Sequence, residues 1–329
     1  MTARHDIAAI GNAIVDVIAP AEETFLAAEG LARGAMTLID RDRAERLHAR
    51  MAPGMETSGG SAANTVAGVA SLGGRAAFVG KVADDALGAV FAADMRALGA
   101  AFDSAPLTGG AATGRCLINV TPDGERTMCT YLGAATELAP ADIAPATVEA
   151  AAILYLEGYL FDPPQARRGF ARAAALARGA GRRIALTLSD AFVVERHREA
   201  LLGFIAGQVD ILFANEGELI ALMGAADFEA AAHAIAGQVA VAAVTRGAAG
   251  SVVLAGAERH AVPAVPVEKV VDPTGAGDQY AAGFLFALAA GRPLQDCGRL
   301  GALAAAEVIS HYGPRPATPL RPLAAAAGL

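Results

Sequence analysis

The chain has 329 residues, 54% of them hydrophobic, and a formal net charge of −8. That length and apolar content support one large α/β domain or two smaller ones, and the acidic balance argues against nucleic acid as the main partner. No apolar run reaches the roughly 18 residues that a membrane span needs, the N-terminus lacks a signal-peptide layout, and three cysteines without metal-like spacing fit a reducing cytoplasm.

In chain order, residues 6–18 read as one strand, with Gly11-Asn12 as a bulge or a point of close approach. Residues 35–40 read as a second short strand. A small-residue turn over 58–64 opens a helix over 65–72. An apolar strand follows over 76–82, and Asp84-Asp85 opens another helix. The stretch 113–133 is expected to form a hairpin. Its two arms, 115–121 and 127–132, flank Pro122-Asp123-Gly124-Glu125, where Pro fixes φ and Gly tolerates positive φ. With strands near 13–18 and 35–40, this hairpin is expected to make a small sheet outside the main one.

From residue 150 onward, strand-like runs at 153–159, 183–188, 210–215 and 239–245 alternate with Ala-rich helical stretches such as 164–179, 195–206 and 228–236. Such alternation implies a doubly wound, mostly parallel sheet with helices on both faces. Ligands then bind beyond the carboxyl ends of the strands. Asn12, Asp190, Asn215, Arg246 and the segment 275–278 each follow a strand-like run, so all are expected at one edge. The Ala-rich tail 323–329 is expected to fray.

The most informative segment is Asp272-Pro273-Thr274-Gly275-Ala276-Gly277-Asp278, preceded by an apolar run ending at Val270-Val271. A small-residue turn opening a helix leaves backbone N–H groups unpaired and adds partial positive charge, so it accepts phosphate. A carboxylate beside such a cradle repels phosphate. Its presence makes sense if Asp278 takes a proton from an attacking hydroxyl. The anion hole is expected from the amides of Ala276, Gly277 and Asp278, with Gly275 making the turn. The plainer alternative is a helix N-terminus with a favourable acid in its first turn. The chain has no Gly-x-x-x-x-Gly-Lys-Ser/Thr loop and no Gly-x-Gly-x-x-Gly fingerprint, which speaks against P-loop NTPases and dehydrogenases.

Two motifs, Gly59-Gly60-Ser61-Ala62-Ala63-Asn64 and the 272–278 segment, resemble those of the ribokinase-like, PfkB-type sugar and nucleoside kinases. Within them the chain is most similar to the adenosine kinases, in order from about residue 6 to about residue 320. The resemblance implies one ribokinase-like kinase domain over 1–329 with a small β-sheet lid. It implies ATP as phosphoryl donor and a nucleoside 5′-hydroxyl as acceptor. A sugar such as ribose, fructose or a ketogluconate remains the alternative, and a non-catalytic nucleoside-binding protein is a further one.

By the same resemblance, Asp16 closes the first strand and holds ribose hydroxyls, with Asn12, Gly60, Ser61 and Asn64 completing the pocket and Tyr159 near the base. Arg126 is the lid arginine that reaches the transferring phosphate, a role that Arg115 could share. Asn215 and Glu218 position Mg²⁺, mostly through water, as a hard cation that retains its waters would require. Thr245, Arg246 and Gly247 form the nucleotide-side turn, and Ala302 and Ala305 leave room for the adenine. Asp272 and Thr274 correspond to a monovalent cation site, K⁺ in some relatives. A lid sheet with an apolar face could pair with a second copy, giving a homodimer through the lid. Gln279 and Asp190 carry no assigned role at this stage.

Overall fold

The computed structural model describes residues 3–329. The first strands are β1 (His5–Ile10), β2 (Ile14–Pro20), β3 (Met36–Leu38), β4 (Met55–Gly59) and β5 (Ala76–Val79). β6 (Gly114–Val120) and β7 (Arg126–Tyr131) form the expected hairpin. β8 (Ala151–Glu157), β9 (Arg183–Thr187), β10 (Ile211–Asn215), β11 (Val241–Thr245), β12 (Ser251–Ala255) and β13 (Glu258–Val262) follow.

These strands make two sheets. The larger runs β13-β12-β11-β10-β9-β8-β1-β5, and the smaller runs β3-β7-β6-β2-β4. In the larger sheet the neighbours from β11 to β5 are parallel, while β12 and β13 are antiparallel additions at one edge. Helices cover both faces, so the strands are nearly continuous apolar runs, as buried parallel strands require. Along β8, Ile153 and Tyr155 enter a core shared with the helices Ser61–Ser71 and Ala276–Ala289. Leu154 and Leu156 enter the opposite core, built with Pro164–Gly179 and Ala191–Gln208. No helix among the described residues is long and apolar enough to cross a membrane.

Several local expectations change. Residues 6–18 are two strands in two different sheets, not one strand with a bulge. β1 pairs in the large sheet and β2 in the small one, with Gly11-Asn12-Ala13 as the passage between them. Gly11 is fixed by space: a Cβ there would lie 2.4 Å from Glu157 Oε2 and 2.5 Å from the Ala62 Cβ. Asp16 therefore sits within β2, in the small sheet, rather than at the end of the first strand. The small sheet also contains β4, whose sequence Met-Glu-Thr-Ser-Gly gives no apolar strand signal.

The antiparallel hairpin of β12 and β13 was likewise not expected. Val270-Val271 is not a strand; this stretch is irregular and is held by Val271 N–H donating to the Ile309 carbonyl. The tail forms the helix Leu320–Ala326, with Leu320 and Ala324 buried, instead of fraying throughout.

The order of strands reverses at β1. From it the chain moves to β5 on one side and, later, to β8 and onward to β13 on the other. Such a switch point opens a crevice beyond the carboxyl ends of the strands. Here it is bridged by Glu157, the last residue of β8, which accepts from the backbone and side chain of Asn12, just beyond β1.

Candidate active site

A cavity of about 920 Å³ opens at this crevice, between the carboxyl edge of the large sheet and one face of the small sheet. Asn12, Asp16, Gly60, Ser61, Asn64, Arg126, Tyr159, Asn215, Glu218, Thr245 and the segment 273–278 all line it. Arg246, Gly247, Ala302 and Ala305 do not. A second cleft, of about 400 Å³ and bordered by Arg4, His5 and Asp142, contains none of the motif residues.

Asp278 lies in the first turn of the helix Ala276–Ala289, whose N-cap Gly275 has φ +79°. A Cβ on Gly275 would come within 2.6 Å of Pro314, so only glycine fits this turn. The Ala276 N–H donates to the Pro273 carbonyl at 3.2 Å, which removes it from the expected anion hole. The N–H groups of Gly277 and Asp278 have no acceptor within the described chain and remain available. Of the three amides expected to form an anion hole, two are thus free.

The Asp278 carboxylate accepts from Ser61 Oγ at 2.6 Å and from Asn64 Nδ2 at 3.1 Å. Both donors come from the first turn of the helix Ser61–Ser71, so the two motifs meet at this carboxylate. Burial raises the Asp278 pKa above its ordinary value, opposed by these two hydrogen bonds and by the charge of Arg315. Asp16, which is buried, is also pushed up, to about 6, by burial; Arg315 and Arg126 pull it down and Asp278 adds to the rise. Gly59 gives Asp16 its space, since a Cβ there would lie 2.5 Å from the carboxylate carbon.

Two arginines act on the carboxylates of this site. Arg126, at the start of β7, pairs with Asp272, and both side chains are buried. Its Nε is buried without a partner. Asp272 also accepts from the N–H and Oγ1 of Thr274, at 3.0 and 2.6 Å, and from the Gly313 N–H at 3.0 Å. Burial alone would raise the Asp272 pKa, but these donors and Arg126 hold it below its ordinary value. Both carboxylate oxygens are thus engaged by protein donors, so a monovalent cation here would compete with Arg126. The second arginine, Arg315, was not singled out in the sequence; nothing local distinguishes it from a loop arginine. Arg115, also weighed as a phosphate ligand, lies 3.3 Å from His48 Nδ1 and does not line the cavity.

On the side expected to take the nucleotide, Asn215 and Glu218 form a capping box at the start of the helix Glu216–Met223. Glu218 Oε1 and Oε2 accept from Asn215 Nδ2 and N–H at 2.8 and 2.9 Å, and Glu218 N–H donates to Asn215 Oδ1 at 2.8 Å. Burial raises the Glu218 pKa to about 7, against the Asn215 hydrogen bond. Among the described residues no group of three or more His, Cys, Asp or Glu could hold a metal. Two hard oxygens facing a cavity suit a Mg²⁺ ion that arrives on phosphates and keeps its waters. The Arg246 side chain is turned away: it pairs with Glu216 at 3.1 and 3.2 Å and stacks on Phe228 at 4.1 Å. Gly247 has φ +56° and open space around it. In the helix Leu294–Val308, Gly301 is fixed by packing: a Cβ there would be 2.7 Å from the Tyr280 carbonyl.

The unassigned residues acquire places. Gln279 is fully buried and donates to the carbonyls of Asn64 and Pro314, both at 2.9 Å. Asp190 caps the helix Ala191–Gln208 by accepting from Phe192 N–H at 2.7 Å. Its neighbour Ser189 is the one non-glycine residue with positive φ among the described residues, at 69°, and its buried Oγ has no partner. Both border the cavity.

A sequence profile of the pfkB family carbohydrate kinases matches residues 4–321. The chain belongs to this family. Its structure superposes on an adenosine kinase from Sinorhizobium meliloti with a TM-score of 0.91 and 52% identity, covering 99% of this chain and 100% of that one. A probable sugar kinase from Rhizobium etli CFN 42 gives a TM-score of 0.92 and 48% identity over 99% of each chain. A cytidine kinase from Thermococcus kodakarensis is 39% identical over 137 residues, which is 40% of this chain and 49% of that protein, so this relative is matched over about half its length. The names of these pfkB relatives agree on phosphoryl transfer and differ on the acceptor.

Proposed function

We propose that this pfkB kinase transfers the γ-phosphoryl group of ATP to the 5′-hydroxyl of adenosine or a related nucleoside, as one catalytic unit whose second sheet serves as a lid. The observation that carries the chemistry is the meeting of Asp278, two unpaired helix amides, Ser61 and Asn64 at the cavity floor. Asp278 takes the proton of the attacking hydroxyl, and the Gly277 and Asp278 amides hold the charge on the transferring group. Arg126 leaves Asp272 to add positive charge as the lid closes, and closure excludes water that would otherwise hydrolyse ATP. When bound with the nucleotide, Mg²⁺ neutralises phosphate charge, with Asn215 and Glu218 the residues that would face it. Thr245 and the turn through Arg246 and Gly247 would border the nucleotide.

The nucleoside assignment rests on the wall above the floor. Ile14, Met36, Leu38, Ile118, Met128 and Leu132 of the small sheet and its flank, with Tyr159 opposite, give the cavity an apolar side. A flat base covers such a surface; a free sugar leaves it wet. Asp16 and Asn12 supply the acceptors and donors that a ribose diol needs. The sugar-kinase alternative draws support from the similarity to the Rhizobium protein.

The deciding experiment is ADP release from Mg-ATP with adenosine, guanosine, inosine, cytidine, ribose and fructose. Turnover with a nucleoside and none with free sugars supports the assignment. Turnover with a sugar alone rejects the nucleoside while leaving Asp278 and the anion cradle in place. No turnover with any acceptor favours a non-catalytic nucleoside-binding protein. A cytoplasmic setting and a lid-mediated dimer belong to the same proposal; size-exclusion chromatography with light scattering tests the second. K⁺ dependence of the rate tests the cation at Asp272 and Thr274.

A further inference from the structure

Arg315 lies in the loop that follows the helix Leu294–Val308, far from both motifs in sequence. Its side chain is mostly buried. Nη1 donates to Asp94 Oδ2 at 2.9 Å and Nε donates to Asn64 Oδ1 at 3.3 Å. Asn64 in turn donates from Nδ2 to Asp278. An amide whose oxygen is claimed by an arginine can present only its NH₂ to the other side. The third nitrogen, Nη2, is buried with no partner.

The loop is docked against the turn that carries the base. Pro314 packs on Gly275, and Gln279 ties the Pro314 carbonyl to the Asn64 carbonyl. Arg315 therefore lies behind the cavity lining, next to Pro314, and reaches the site through Asn64.

We propose that Arg315 is a positioning residue for phosphoryl transfer: it fixes the Asn64 amide against Asp278, and its charge balances the carboxylates of Asp278 and Asp16. This rests on the proposed role of Asp278 as base. A guanidinium is the suitable group, because it stays charged when buried and holds two partners in a fixed fork. Asp278 is acted on by Ser61 and Asn64 from the facing helix and by Arg315 from the loop, and its own charge bears on Asp16 of β2, Tyr155 and Glu157 of β8 and Tyr159 of the turn after it. Arg315 is the cation that acts on Asp278, and without it only the Ser61 and Asn64 hydrogen bonds oppose the effect of burial on the base.

The test is the pH profile of kcat/KM with Mg-ATP and the best acceptor, for the wild type, Arg315→Met, Arg315→Gln, Arg315→Lys and Asp278→Asn. In the neutral variants the acid limb should move up by about one pH unit, as expected on losing a nearby opposite charge. Part of the lost rate should return at pH 9. Arg315→Lys should keep the limb near its wild-type position and lower kcat, because the charge remains and the donation to Asn64 is lost. The Gln variant carries the test if the Met variant does not fold. An unmoved limb in the neutral variants overturns the proposal, whether or not kcat falls. If Asp278→Asn keeps its activity, the base assignment itself fails; if only the Arg315 variants behave as wild type, the base stands and this inference alone falls.

Discussion

Asp278→Asn separates the chemistry of this site from its architecture. The carboxylate holds two hydrogen bonds, from Ser61 Oγ and Asn64 Nδ2. An asparagine keeps both: its Oδ1 accepts from Asn64, and its Nδ2 donates to Ser61, whose hydroxyl turns from donor to acceptor. Exchanging a charged acceptor for a neutral one weakens the bonds but removes the cost of burying a carboxylate, so stability should change by no more than about 1.5 kcal/mol. What asparagine cannot do is take a proton. General-base catalysis contributes about 10²–10⁴-fold, so turnover should fall by that factor, or roughly 3–5 kcal/mol in the barrier. ADP release at saturating Mg-ATP and acceptor measures the loss. Equilibrium titration with ATP and thermal unfolding should both stay near wild type. Turnover within tenfold of wild type would show that the proton leaves by another route and that the carboxylate is only a helix-end acid.

Three further outcomes are expected. Arg126→Ala should lower kcat by about 10²-fold, the usual scale for losing one donor to a developing anion, while the acceptor KM changes less; a kcat within threefold of wild type would confine Arg126 to its pairing with Asp272. Gly60→Ala should destabilise the fold by about 1–3 kcal/mol and raise the acceptor KM, because Gly60 has φ +101° and a Cβ there would lie 2.3 Å from the Asn12 carbonyl oxygen; an unchanged melting temperature contradicts that geometry. Stability should also fall as pH rises from 4.5 to 7 and level off above. Asp16, Glu157 and Glu218 are raised by burial to about 6, 7 and 7, from ordinary values of 3.8, 4.5 and 4.5. The folded chain keeps protons there that the unfolded chain releases, so the penalty grows across this window. Carboxylates held low, such as Asp94 and Asp272, act below it. The urea midpoint should be higher at pH 5 than at pH 7.5, and the opposite order would refute the argument.

The hairpin was legible because Pro122, Asp123 and Gly124 dictate a turn through their own backbones: Gly124 has φ +86° and its N–H closes onto the Thr121 carbonyl at 2.7 Å. The parallel sheet was legible because buried strands and amphipathic helices differ in period. The strands that escaped notice failed for identifiable reasons. β4 is short and polar, and takes its place only because β2 offers it an edge. The break between β1 and β2 falls inside one apolar run, and hydrophobicity does not report which sheet a strand joins. In the Leu294–Val308 helix, Gly301 is required by its close approach to Tyr280, a contact that composition does not report.

The site divides along the same line. The turn of Gly275 and the acid of Asp278 are properties of seven consecutive residues, so the sequence alone determined a glycine turn with a carboxylate acceptor in the first turn of the helix it opens. The sharing of that acceptor by Ser61, 217 positions away, was set by how two helices meet. So was the loss of the Ala276 amide to Pro273, and so was the recruitment of Arg315 and Gln279. Backbone conformation follows from neighbours in the chain, whereas the partner of a buried polar group is fixed by which distant surface packing brings to it.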